Sequence, residues 1–250
     1  MNSSTTEAAG ANDALDARLN EIRERIARSA RRAGRTPEEL TLIAVSKTHT
    51  AESVQSALAA GVADFGENRV QEAEEKILTV GRAVPGGASR PRWHLIGHLQ
   101  SNKARRAVKL FDMIHTIDSS ELIERLERMC MEEGRAELPL LLQVDLAGEE
   151  TKAGARPEML PELIAQAASC KHVRLAGLMT LPPFYEETER VRPFFRRLRE
   201  LRDELRGSGA FGEGRGELSM GMSHDFEVAI EEGATMVRIG TAIFGARPAR

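Results

Sequence analysis

The chain has 250 residues, 41% hydrophobic and 29% charged, with a formal net charge of −3, the balance of a soluble globular protein with one large core or two small ones. There is no basic excess to suggest nucleic acid, and no apolar run approaches the roughly 18 residues of a membrane span. The polar stretch Met1 to Asn12 lacks the apolar segment of a signal peptide, so a cytoplasmic protein is expected.

Residues 1–12 are rich in Ser, Thr, Ala and Gly and are expected to form a disordered tail, leaving 13–250 as a single domain. Leu15, Leu19, Ile22 and Ile26 then recur at helical spacing up to Gly34. Leu40 to Val45 is apolar at five of six positions and rich in β-branched side chains, which predicts a strand buried on both faces and ending at Ser46-Lys47. Thr50-Ala51-Glu52 caps a short helix that stops at Gly61, Val62 to Gly66 is a second strand, and Asn68 opens a helix carrying Val70, Ala73, Ile77 and Leu78. Gly81 to Arg92 reads as a surface loop and Trp93 to Gly97 as the third strand.

The alternation continues. Asp112 to Ile117 is a strand, Asp118-Ser119-Ser120-Glu121 starts a helix, and Leu138 to Leu146 is the strongest strand of the chain. A helix begins near Pro157, Arg174 to Leu181 is the sixth strand, and Val191 to Leu205 is a long amphipathic helix followed by a mobile glycine-rich connection, Gly207 to Gly216. Leu218 to Gly221 and Met236 to Gly240 complete eight strands. Eight strand–helix units in about 205 residues predict a single (β/α)8 TIM barrel preceded by an extra N-terminal helix, with a doubly wound open sheet as the alternative. Cys130 and Cys170 each fall on the apolar face of a predicted helix and read as reduced core residues.

In a barrel the carboxyl ends of all strands share one face, where ligands bind, so Lys47, Asn68, Gly97, Thr180 and the loop after Gly221 become neighbours. An amine held against apolar walls loses its charge readily and can attack a carbonyl carbon, which makes Lys47 a candidate Schiff-base nucleophile. Arg238 to Gly245 leaves the last strand through Gly240 and Thr241, and Ser219 to Asp225 again places small residues and the hydroxyl of Ser223 before a helix. Two such loops side by side suit a phosphate, although Ser223 alone could equally cap its helix. Arg238, inside an apolar strand, needs an acceptor or an anion. Amine and phosphate cradle together describe either a sugar-phosphate aldolase or a pyridoxal 5′-phosphate site.

Five ordered motifs separate these: Ala44 to Thr48, Phe65 to Glu72, Trp93 to Lys103, Leu218 to Ser223 and Val237 to Gly245 closely resemble those of the pyridoxal phosphate homeostasis proteins. The resemblance implies a barrel like the alanine racemase N-terminal domain, with pyridoxal 5′-phosphate held as an aldimine on Lys47. It also implies that Ser223, Gly240 and Thr241 hold the phosphate, that Arg238 faces the pyridine nitrogen and that Asn68 lies beside the ring. The family often carries a lysine or similar residue at the position of His49, so the lip of the pocket differs here.

The implied function is intracellular vitamin B6 homeostasis without efficient catalysis; a racemase-type enzyme is the alternative. An arginine leaves the pyridine nitrogen unprotonated, which weakens carbanion stabilisation. The racemases take a second base from a further domain and a partner subunit, and no such domain is expected here, since the sequence reaches Arg250 five residues past the last barrel motif. Its one tyrosine, Tyr185, reads as ordinary loop structure. His94 and His98 lack a third ligand, so no metal is expected, and Lys103, Arg105 and Arg106 read as a solvated helix face. The expected partners are pyridoxal phosphate and, as recipients, pyridoxal-dependent apoenzymes, with no nucleic acid and no membrane; a monomer is expected.

Overall fold

The computed structural model describes residues 3–83, 90–148 and 153–245. A long helix α1 (Ser3–Arg32) precedes strand β1 (Thr41–Val45), followed by α2 (Ala51–Ala59), β2 (Asp64–Glu67), α3 (Val70–Ala83), β3 (Arg92–Leu95) and α4 (Ala104–Leu110). Then come β4 (Met113–Ile117), α5 (Ser120–Glu132), β5 (Leu138–Gln143), α6 (Leu160–Ala168) and β6 (Val173–Met179). The chain continues through α7 (Arg192–Gly207), β7 (Glu217–Met222), α8 (Phe226–Glu231), β8 (Met236–Ile239) and the single turn α9 (Thr241–Phe244).

Each strand pairs in parallel with the next, and β8 closes onto β1 with Ile43 opposite Arg238, so the sheet is a closed eight-stranded barrel and the open doubly wound alternative is excluded. Parallel neighbours need a crossover, and the helices supply it while covering the outer face of the sheet. Alternate residues along each strand serve two cores. On β5, Leu140 and Leu142 join the layer between sheet and helices, whereas Leu141 packs inside the barrel with Ile43, Ala176, Met179 and Met236.

Three expectations change. α1 is helical from Ser3, so helix occupies most of the stretch expected to be a disordered tail; alanine is the best helix former, and a helix anchored by buried Leu15, Leu19, Ile22 and Ile26 propagates at low cost toward its N-terminus. α3 runs through Gly81 to Ala83, which shortens the expected loop, and residues 84–89 of that loop lie outside the described residues. The glycine-rich connection expected to be mobile is anchored by Phe211, buried in the core. No helix among the described residues is long and apolar enough to cross a membrane.

The N-terminal helix has a positional role. It packs against α8 and α9; Arg25 makes two hydrogen bonds to Glu227 at 3.2 and 3.1 Å, and Arg18 Nε donates to the Ile243 carbonyl at 2.6 Å. α1 therefore braces the turn that leaves the last strand.

Candidate functional site

Strand β1 delivers Lys47 to the carboxyl end of the barrel, half-buried, in a turn. Two features hold that turn. Thr48 sits at φ 67°, unusual for a branched residue, and its amide donates to Glu72 Oε1. Directly beneath, Lys76 donates to the Ser46 carbonyl at 2.8 Å and to Glu67 Oε1 at 2.5 Å, and Ser46 Oγ donates to the same carboxylate oxygen at 2.6 Å. Glu67 is fully buried; burial pushes its carboxyl up, and Lys76 and Ser46 offset only part of that. A buried ion pair of this kind fixes geometry more than it adds stability. It was not legible in the sequence, where Lys76 looks like one more polar residue of α3.

Across the mouth, β7 and β8 bring the second group together. The ladder between them slips between Ser219 and Met222, where Gly221 takes φ 91°; a Cβ there would lie 2.6 Å from that of Ala229, so glycine alone fits the bulge. Asp225 starts α8, accepting from the Met222 amide at 2.7 Å, while Ser223 Oγ accepts from the Gly240 amide at 3.3 Å. The helix-capping role for Ser223 is thereby set aside. Gly240 in turn packs on β1, with a position for Cβ only 3.3 Å from Val45, and His49 stacks on Phe244 of α9 at 4.8 Å between ring centres. The loops after β1, β7 and β8 thus converge, with Ser223 half-buried and Thr241 exposed.

Arg238 lies inside the barrel, 3% exposed. Its guanidinium donates to Ser219 Oγ at 2.6 Å and to the Thr180 carbonyl at 2.9 Å. Burial pulls its pKa down to about 10, against the opposing charge of Asp225, so it remains a cation at neutral pH. Asn68 follows β2 and is half-buried; the end of β3 presses so closely on it that a Cβ on Gly97 would lie 2.4 Å from the Asn68 carbonyl oxygen. A cavity of about 700 Å³ opens there, lined by Asn68, Arg69, Gly97, His98, Gln100 and Lys103.

The histidines separate. His98 is exposed, whereas His94 is buried between Asp64, 2.8 Å from its Nε2, and His115, 2.9 Å from its Nδ1. His115 was not singled out by sequence reasoning; a histidine in the middle of a largely apolar strand was the available signal. Among the described residues no cluster of His, Cys, Asp and Glu could hold a metal ion. Arg105 pairs with Glu132 and Glu133 and Arg106 with Glu74, an ion-paired outer face of α4. Tyr185 stacks on Phe194 and under Arg190. Both cysteines are free thiols, and burial raises that of Cys130 to about 11.

The family model for the alanine racemase N-terminal domain matches residues 17–248. A pyridoxal phosphate homeostasis protein of Aquifex aeolicus is 42% identical over 230 residues, 92% of this chain and 97% of that protein. The solved structure of PipY from Synechococcus elongatus with PLP bound is 39% identical, with a TM-score of 0.79 over 92% of this chain and 100% of that one. An alanine racemase of Clostridium difficile, 16% identical, shares the fold with a TM-score of 0.67, over 95% of this chain and 58% of its own.

Proposed function

Because the chain belongs to the family of pyridoxal phosphate homeostasis proteins, built on the alanine racemase N-terminal barrel, we propose that it binds pyridoxal 5′-phosphate through Lys47 and serves intracellular homeostasis of that cofactor as a holder, not an efficient catalyst. The observation that carries this reading is the convergence at one mouth of an amine on β1 with the Ser223–Gly240 pair on β7 and β8, joined by the packing of Gly240 on Val45. When bound, the cofactor supplies an aldehyde that condenses reversibly with a primary amine and a phosphate that needs donors.

The residues present fit those demands. Lys47 supplies the amine. Ser223 and Thr241 supply hydroxyl donors. Arg238, cationic and able only to donate, suits a ring nitrogen that accepts and therefore carries no proton. Asn68, just past β2 at the carboxyl end of the barrel, would flank the ring. A ring nitrogen kept unprotonated withdraws electrons weakly from a reacting carbon, and Tyr185 is engaged with Phe194 and Arg190 rather than offered as a second base. Both points support a holding role. Apoenzymes as recipients, and action as a cytoplasmic monomer, complete the proposal.

The test is borohydride reduction of protein mixed with pyridoxal phosphate, followed by peptide mass spectrometry. A phosphopyridoxyl group on Lys47, abolished by Lys47→Ala with the fold intact, is expected; label on another lysine refutes the site. Exchange of an amino acid's α-proton in deuterium oxide at enzyme-like rates would favour the racemase alternative.

A further inference from the structure

A continuous line of hydrogen bonds runs through the barrel interior from Arg238 on β8, by way of β7, β4 and β3, to Asp64 on β2. Arg238 Nη1 donates to Ser219 Oγ at 2.6 Å; Ser219 Oγ lies 2.9 Å from His115 Nδ1; His115 Nε2 lies 2.9 Å from His94 Nδ1; and His94 Nε2 lies 2.8 Å from Asp64 Oδ1. The link from His115 on β4 to Ser219 on β7 joins strands that are not neighbours, so it spans the lumen. All five residues are buried, the most exposed being Asp64 at 5%. Beyond Asp64, Arg92 donates to its Oδ2 at 2.7 Å, and both line a solvent-facing cavity of about 390 Å³ at the amino end of the barrel.

The chemistry of the members gives the line a direction. A guanidinium only donates, so Ser219 Oγ accepts from Arg238 and turns its own hydrogen to His115 Nδ1. His115 then carries its proton on Nε2 and donates to His94 Nδ1, and His94 carries its proton on Nε2 and donates to the Asp64 carboxylate. In this arrangement every donor meets an acceptor, with both rings neutral. Burial above all, with the nearby cation of Arg238, keeps His115 well below the ordinary histidine range. Burial would raise Asp64, yet the bonds from His94 and Arg92 hold it low. The buried cation of Arg238 makes no hydrogen bond to a carboxylate among the described residues; the line of bonds leads from it to one.

We propose that Ser219, His115, His94 and Asp64 are positioning residues that aim the Arg238 guanidinium at the cofactor's ring nitrogen and couple that contact to Asp64 and Arg92 at the amino end of the barrel. This rests on the cofactor reading above. It makes the electronic state of the bound ring sensitive to a carboxylate that lines the cavity at the amino end of the barrel.

The two halves of the proposal separate experimentally. Nitrogen-15 NMR of the histidine rings in the protein without cofactor reads the direction of the line: both His94 and His115 are expected with the proton on Nε2, and a proton on Nδ1 of either overturns the relay whatever the cofactor does. With pyridoxal phosphate added, Asp64→Asn, isosteric and remote from Lys47, is expected to keep borohydride-trappable cofactor but shift the position of its absorption band. Ser219→Ala should shift the same band, and Ser219→Thr, which restores the hydroxyl, should return it toward wild type. Variants that trap cofactor with an unmoved band overturn the coupling while leaving the cofactor assignment in place; a wild-type protein that traps none overturns the cofactor assignment itself.

Discussion

Gly97 is the point where a one-atom change should open the site. The end of β3 lies so close to the chain after β2 that an added Cβ would meet the Asn68 carbonyl oxygen at 2.4 Å, its Cα at 2.7 Å and its carbonyl carbon at 2.9 Å. All three are backbone atoms, which no rotamer change can move aside. Since carbon rests about 3.5–4.0 Å from its neighbours, the two strand ends must part by roughly 1 Å in Gly97→Ala. Overpacking of this kind costs about 1–3 kcal/mol, and the displaced residue is Asn68, at the rim of the site. Gly81→Ala is the matched control: this exposed helical glycine has nothing within 4 Å of a Cβ, so alanine should be neutral or stabilising by about 0.5–1 kcal/mol. Urea denaturation of both variants, with the rate of cofactor loss on dilution, makes the comparison. Gly97→Ala as stable and as retentive as wild type would refute the argument from close approach.

Other outcomes follow from single contacts. Ser223→Ala combined with Thr241→Ala should weaken retention of pyridoxal phosphate, since charge-assisted hydrogen bonds are worth about 1.5–3 kcal/mol each; unchanged retention in equilibrium dialysis would remove both from the phosphate site. Glu127 accepts from the amides of Lys171, His172 and Val173 at 2.9, 2.8 and 3.0 Å, tying α5 to the start of β6. Burial works to raise its carboxyl, but these three donors hold it below the ordinary range. A folded value below the unfolded value of about 4.3 means a contribution that is present above that pH and lost as pH falls through the folded value. Glu127→Gln should therefore cost about 1–2 kcal/mol at neutral pH, the lower part of the usual span because the site is half exposed, and the gap should narrow in denaturation curves taken at successively lower pH below the unfolded value. Leu19→Ala, at a fully buried position of α1, should cost about 2–5 kcal/mol and loosen the brace on α9; thermal melting at wild-type temperature would show α1 to be dispensable.

The eight-unit rhythm was legible because it depends on local rules. β-branched runs, caps at Thr50 and Ser119, and prolines at helix starts all act within a few residues. The right-handed crossover then permits few topologies for that many parallel strands. Lys47 could be placed at the mouth for the same reason: a strand's carboxyl end is a position in sequence before it is a position in space. The resemblance carried by five motifs supplied the cofactor, which chemistry alone had left open between two classes.

What the sequence could not determine is which way buried residues face and whom they meet. Leu140, Leu141 and Leu142 are alike as letters, yet Leu141 fills the lumen while its neighbours face the helices, because the pleat alternates and only closure says which side is inside. Asp64, His94, His115 and Ser219 lie on strands separated by up to 155 residues, and their chain of hydrogen bonds exists only once β4 and β7 face each other across the barrel. Lys76 belongs to Glu67 and Ser46 because α3 folds back beneath the end of β1. A hydrogen bond needs its partners within about 3 Å, and distances of that order between remote residues are set by tertiary packing alone.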